Sequence, residues 1–269
     1  MAEDLSARAA ANGPTRRAAA DALVAADASG KLAAFRAFAD ASKFSTNVSA
    51  DKILAYGETG EVLHTRAACI QAARRDEAAG LAAFAKRQGS WLLRREGFED
   101  LWEGGREILY GAVNAGNMGT EGQYGPFCLV ADPLPAVSLA TFPSDTAQTY
   151  VDASGVTDQA RAESDVTLWE DRGALALWKE SVAVAAAPED SWPDVMARPG
   201  HYMEVCRVGR LPIEGLASVR LRVGYVDRLV DIMLRHQRKE ALDASEEEEW
   251  RAYNALLTWR PAIMVEEIP

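Results

Sequence analysis

Apolar and polar positions alternate with a helical period at the start of the chain. In DALVAADASGKLAAFRAFADA, residues 21–41, Leu23, Val24, Leu32, Phe35 and Phe38 recur among alanines at spacings that give a thin apolar face. This predicts short helices as far as about residue 41, broken at Gly13-Pro14 and again at Ser29-Gly30. The first dozen residues need not be ordered. Residues 43–65 mix turn residues with short β-type runs, and residues 65–102 return to helical spacing with breaks at Gly80, Gly89 and Gly97. The pattern changes at Gly104-Gly105, where REILYGAVNA and YGPFCLVAD are both strand-like. Between them Gly116, Gly119, Gly122 and Gly125 recur every third residue. PAVSLATF follows, then a polar segment over residues 143–165 and a helix from Leu168 to Ala187 that Gly173 weakens without ending. In HYMEVCRVGRLPIEGLASVRLRVGYV the period falls to two. Tyr202, Glu204 and Cys206 share one face of that strand, and Met203, Val205 and Arg207 the other. The remainder reads as two helices, the second opening with capping-box spacing between Ser245 and Glu248 and an acidic first turn that suits the helix dipole.

Together these elements predict an α+β protein. Its core is compact, antiparallel or mixed, and β-sandwich-like, with a helical N-terminal region and C-terminal helices. Residues 1–100 form the mainly helical region and residues 101–269 the α+β core with its C-terminal helices, the two making one compact unit. A chain of 269 residues with 48% hydrophobic content can build a sizeable core. Lys+Arg 29 against Asp+Glu 40 gives a formal net charge of -11, which argues against nucleic acid and anionic membranes as partners. No stretch reaches the roughly 18 apolar residues of a membrane span. The nearest, ALALWKESVAVAAAP, is interrupted by Lys179 and Glu180. The N-terminus has no apolar run of signal-peptide type, and Cys69, Cys128 and Cys206 show neither CxxC nor Cys/His pair spacing. A cytoplasmic protein without disulfides is expected. His64, His201 and His236 are dispersed, and no metal is expected.

Three features carry candidate chemistry. The glycine stretch has no lysine for a phosphate-binding Walker loop, and a strand rather than a helix follows it, so it lacks a Rossmann context too. What remains is a long hairpin connection or a loop whose backbone approaches a ligand closely. Glu204 interrupts an apolar strand. Facing inward, a carboxylate there costs several kcal/mol unless it is paired or lines a cleft, whereas on an edge strand it faces solvent; the pattern leaves both open. Arg106, at a strand start, suits either a surface charge or bidentate phosphate recognition. No GxSxG elbow is present and Ser144 has no local signature, although a hydrolase triad assembled in space is not detectable in this way. Cys128 and Cys206, within apolar runs, read as buried, inert thiols.

REILYGAVN, the glycine-containing gap, YGPFCLVAD, ATFPSDTA and HYMEVCRVGRLPIEGLASVRL occur in an order that resembles a bacterial and fungal family of unknown function. The closing strand, with its glutamate, polar turn and Val-rich strand, also resembles the last motif of mono-ADP-ribosyltransferases. The likeness spans about Gly105 to Val223. It implies a split β-sandwich that clamps NAD as substrate. By that resemblance Glu204 is the catalytic residue, stabilising the oxocarbenium-like ribose as nicotinamide leaves. Arg106 holds a cofactor phosphate or ribose, Tyr110 and Asn114 line the cleft, Ser144 takes the middle role, and Tyr202 stands beside the catalytic position. The glycine stretch would close over the cofactor. Tyr202 occupies the place where arginine-modifying transferases carry Glu or Gln, and the middle Ser-Thr-Ser element is missing. The resemblance therefore points away from arginine as acceptor. It implies a different acceptor, a small-molecule nucleotide or a protein, or NAD hydrolysis, in the manner of an effector, or an inactive relative that only binds. The competing readings are a non-catalytic binding or interaction protein on an α+β scaffold, and an unrecognised hydrolase.

Overall fold

The elements follow one another as α1 (Leu5–Ala26), α2 (Lys31–Asp40), β1 (Lys43–Val48), α3 (Ala50–Thr59), β2 (Glu61–Val62), α4 (Thr65–Ala72), α5 (Glu77–Gln88) and α6 (Leu92–Glu99). Next come β3 (Ile108–Asn114), β4 (Phe127–Ala131), β5 (Ala140–Phe142), α7 (Thr146–Tyr150), α8 (Gln159–Asp165), β6 (Thr167–Leu168), α9 (Arg172–Ala186) and α10 (Trp192–Met196). The chain ends with β7 (Glu204–Val208), β8 (Leu211–Pro212), β9 (Leu216–Arg222), α11 (Val223–Gln237), α12 (Ala244–Trp259) and β10 (Ala262–Glu266). The structure, a computed structural model, describes residues 2–115, 124–131, 139–197 and 201–259, with the backbone of 262–266. The fold is α+β with mixed strand directions, helical at the N-terminal end and carrying helices near the C-terminus, as the pattern predicts.

Two compact units divide the chain, and each is assembled from three segments. The first comprises Met1–Phe44, Ala85–Met118 and Pro133–Gly209. Its strands run in the order β3-β7-β5-β6, and every neighbouring pair is antiparallel. One face of this sheet is apolar and packs a cluster that includes Leu5, Phe98, Trp102, Phe142, Tyr150 and Cys206. Phe98 meets Phe142 edge-on at 5.3 Å between ring centres, the geometry that aromatic quadrupoles favour. The second unit comprises Ser45–Phe84, Gly119–Asp132 and Arg210–Pro269. Its strands run β10-β9-β4-β1, with β9 parallel to β10 and antiparallel to β4, and β2 pairs separately with β8. Helix α12 packs on α3 and α11, and Arg228 and Arg235 of α11 are ion-paired with Glu249 and Glu246 of α12.

Several glycines expected to end helices lie inside them. Helix α1 runs through Gly13-Pro14, and Gly13 lies where a Cβ would come within 2.5 Å of Asp171 Oδ2. The helix start is ordered as well, since the Asp4 carboxylate caps it and the Glu3 N–H donates to Leu101 O at 3.0 Å. Gly80 and Gly97 lie inside α5 and α6, where a Cβ would fall 2.4 Å from Ile70 Cα and 2.5 Å from Gly155 O respectively. Close approach, not chain termination, selects glycine at these places. The capping box of α12 is also displaced from its expected position. The Glu246 N–H donates to Asp243 Oδ1 and the Asp243 N–H to Glu246 Oε2, both at 2.9 Å, the reciprocal arrangement that satisfies two free donors.

Candidate functional site

Within the first unit, β7 lies between β3 and β5, so Glu204 is not on an edge. Glu204 is opposite Ala112 on one side and Phe142 on the other, and Cys206 is opposite Tyr110 and Ala140. Directly opposed residues share a face and alternate residues of a strand return to it. Glu204, Cys206, Tyr110 and Phe142 therefore project from the apolar face, and Glu204 is only 3% exposed. Its carboxylate is anchored by α7, whose first residue turns two donors onto one oxygen. The Thr146 N–H donates to Glu204 Oε2 at 2.8 Å, and Thr146 Oγ1 donates to the same oxygen at 2.5 Å. Asp145, the cap of α7, accepts from the Gln148 N–H at 2.8 Å and from the Tyr202 hydroxyl at 3.1 Å.

An arginine that the sequence reading passed over completes the cluster. Helix α6 presents Arg95, Phe98 and Glu99 at i, i+3 and i+4, with Trp102 one turn further on, and Phe98, Glu99 and Trp102 are all buried. Arg95 lies over the ring of Tyr110, its guanidinium carbon 3.7 Å from the ring centre, a close cation–π stack. The buried Nη1 of Arg95 and hydroxyl of Tyr110 bond to no third group, and the Tyr110 side chain itself acts on the guanidinium as a hydrogen-bonding neighbour.

Burial dominates the electrostatics of this cluster. The Glu204 carboxyl is pushed up to about 7 by burial and by the neighbouring Asp145, against the pull of Arg95 and the two Thr146 bonds. Burial opposes the Arg95 charge, but Tyr110, Glu204 and Asp145 outweigh it and hold the guanidinium firmly protonated. Burial raises the Tyr110 phenol well above its ordinary value, so it remains an O–H donor at neutral pH. The Cys206 thiol is likewise pushed up by burial and by Glu204, which keeps it an inert thiol. Such a cluster combines a carboxyl poised near neutrality with a neighbouring guanidinium and phenol, a combination suited to charge stabilisation or proton transfer.

The structure brings Glu204, Tyr110 and Tyr202 together. Asn114 is buried on the same face of β3 by alternation, two residues beyond Ala112, the partner of Glu204, and next to Val113, whose N–H donates to Met203 O at 3.0 Å. Ser144 adjoins Asp145 in the chain, but its hydroxyl lies 2.8 Å from Thr149 Oγ1. Arg106 is not at Glu204. It precedes the end of β3 at which Ile108 pairs with Val208, whereas Glu204 pairs with Ala112, about 13 Å further along the strand. There its guanidinium donates to both Asp100 carboxylate oxygens at 2.7 Å and lies 2.6 Å from Glu96. The arginine beside Glu204 is Arg95. Of the glycine stretch, Gly116, Gly119 and Gly122 lie outside the described residues, and with them the expected closing loop. Gly125, in the second unit, has φ +138° and packs where a Cβ would come within 2.1 Å of Val48 C and O.

Among the described residues no group of three or more His, Cys, Asp or Glu side chains could hold a metal ion, and no helix is long and apolar enough to cross a membrane. Cys69, Cys128 and Cys206 are buried and form no disulfide. Compared with known proteins, the chain matches no family model, and no curated protein is significantly similar to it.

Proposed function

We propose that this chain is an NAD-using enzyme of the ADP-ribosyltransferase type, centred on Glu204. One observation carries the reading: a carboxyl poised near neutrality sits on an inner strand of an antiparallel sheet, beside a stacked arginine and tyrosine. In the proposed reaction the bond between ribose and nicotinamide breaks, and nicotinamide departs with the electron pair. The ribosyl carbon becomes cationic, and the ionised Glu204 carboxylate stabilises it. Water or a protein nucleophile then adds to that carbon and releases a proton. Turnover therefore rises as pH increases through about 7, where Glu204 ionises. The arginine next to the reacting sugar is Arg95, and Arg106 has no part in it.

The test is Glu204→Gln, which keeps the shape of the side chain and removes its charge. NAD consumption should fall by about 10²–10³-fold, the usual effect of removing one transition-state stabiliser, with the circular dichroism of the fold unchanged. Undiminished turnover in this variant, or wild-type protein whose melting temperature NAD does not raise, would sink the proposal.

A second reading is favoured by the two Thr146 bonds: Glu204 then serves to join α7 to β7 in a non-catalytic binding protein. On that reading NAD is neither bound nor consumed.

A further inference from the structure

We infer that the outer flank of the second unit, formed by α11 and the open edge of β10, is a docking surface for a second copy of this chain, joined across a two-fold axis. This surface lies outside the Glu204 cluster and is independent of the proposed activity.

Helix α11 buries Leu229 and Ile232, touches β9 and β10, and carries α12 on one flank. Arg228 and Arg235 mark that flank, since both are ion-paired with α12. At about 100° per residue, Val223, Val226, Val230 and Met233 project about 140–160° round the helix from Arg228, and Leu234 about 120°. They point away from α12. Val223, Val226 and Met233 are half-buried, whereas Val230 is 44% and Leu234 38% exposed. Positions 223, 226, 230 and 233 follow the three-four spacing of a seam between paired helices, here on a face turned to solvent.

Beside this seam the sheet itself is open. β10 ends the order β10-β9-β4-β1, so its second edge has no partner strand among the described residues. Exposed edges are usually blunted by lysine or proline, and AIMVE contains neither. About 22 Å of helix therefore adjoins about 17 Å of strand edge, each lacking a partner on the same side.

The charges say what covers them. A two-fold axis normal to the sheet sets two β10 strands antiparallel, which extends the sheet, and makes the two α11 helices antiparallel as well, with their dipoles opposed. Val230 of each copy then meets Leu234 of the other. Asp227, one turn before Val230, comes to lie across from Arg238, one turn after Leu234. Asp227 is exposed. Arg238 is 65% exposed and its ion pair with Glu240 spans 3.8 Å, which leaves room for a closer carboxylate. The surface is thus complementary to itself in shape, strand polarity and charge.

Sedimentation velocity of the full chain between about 1 and 300 μM should show reversible dimers forming in the micromolar range, as for other small interfaces. Leu234→Glu should weaken the dimer by at least about 30-fold, the effect of losing a central apolar contact, with the circular dichroism of the fold unchanged. Asp227→Arg and Arg238→Asp should each weaken it about tenfold by opposing like charges across the axis, and the chain carrying both should recover wild-type affinity. Amide hydrogen exchange over residues 262–266 should slow as concentration rises in the wild type and not in Leu234→Glu. The inference is overturned by a chain that stays monomeric throughout that range, by a dimer that Leu234→Glu leaves intact, by a doubly reversed chain no tighter than the single variants, or by exchange at 262–266 that ignores concentration.

Discussion

Replacing Glu204 by Gln removes one titrating proton from the middle of the β3-β7-β5 ladder and leaves an acceptor oxygen for the Thr146 donors. In the folded protein the carboxyl is raised from 4.5 to about 7, chiefly by burial and then by Asp145. The native state therefore binds this proton more tightly than the unfolded chain. Where the native state holds more protons, stability falls as pH rises. The stabilising effect of the protonated group is fully present below about pH 4.5 and is lost as pH rises through about 7. A displacement of that size corresponds to about 3 kcal/mol at its upper limit. Glutamine carries no such dependence. Urea unfolding of both proteins at pH 5 and pH 8 should show the difference in stability moving in favour of Glu204→Gln by about 2–3 kcal/mol between the two pH values, with equal m-values. A difference that stays constant, or that moves in favour of the wild type, would mean that Arg95 and Thr146 hold Glu204 as an ordinary ionised carboxylate, and the electrostatic reasoning would fail.

Other perturbations test neighbouring parts of the structure. Arg95→Met removes the positive charge that lowers the Glu204 pKa; the acid limb of NAD turnover and the pH by which the stability of the protonated group is fully lost should both move above 7, and a pH–rate profile unchanged from wild type would place Arg95 outside the field of Glu204. Arg106→Ala breaks ion pairs of a side chain that is 39% exposed, so denaturant unfolding should register a loss below about 1 kcal/mol and turnover should stay near wild type; a collapse of turnover would return Arg106 to the site. Gly125→Ala forces a Cβ against the Val48 backbone at φ +138° and should lower stability by more than about 2 kcal/mol, read as a clear drop in melting temperature; an unchanged melting temperature would contradict the packing.

How far the sequence discloses this site depends on which observations are local. Glu204 is legible as an anomaly because a carboxylate breaks a period-two apolar run, and its face is shared with Tyr202 and Cys206 in any pairing. Whether that face is buried is decided by β3 and β5, strands far away in sequence whose partnership no local period records. Arg106 attracts attention because it opens a strand, yet its position at the far end of the β3/β7 register removes it from Glu204. Arg95 escapes notice because an arginine on a helix ordinarily reads as solvated. The signal that could have found it is the row Arg95, Phe98, Glu99 and Trp102 on one face of the helical segment, in which the charged positions alternate with core positions. The glycines show the same limit. Gly80 and Gly97 register only that no side chain fits, and that is as true of a close helix contact as of a helix end. The interleaving of the two units from three segments each is likewise a matter of long-range pairing. Glu204 and Arg95 consequently make a stronger case together than either makes alone. A buried carboxyl disfavoured in its charged form, beside a buried guanidinium, is harder to explain by packing than by a functional role, since a hydrophobic pair of similar volume would fill the same space without the electrostatic penalty. The pH dependence of stability measures that penalty.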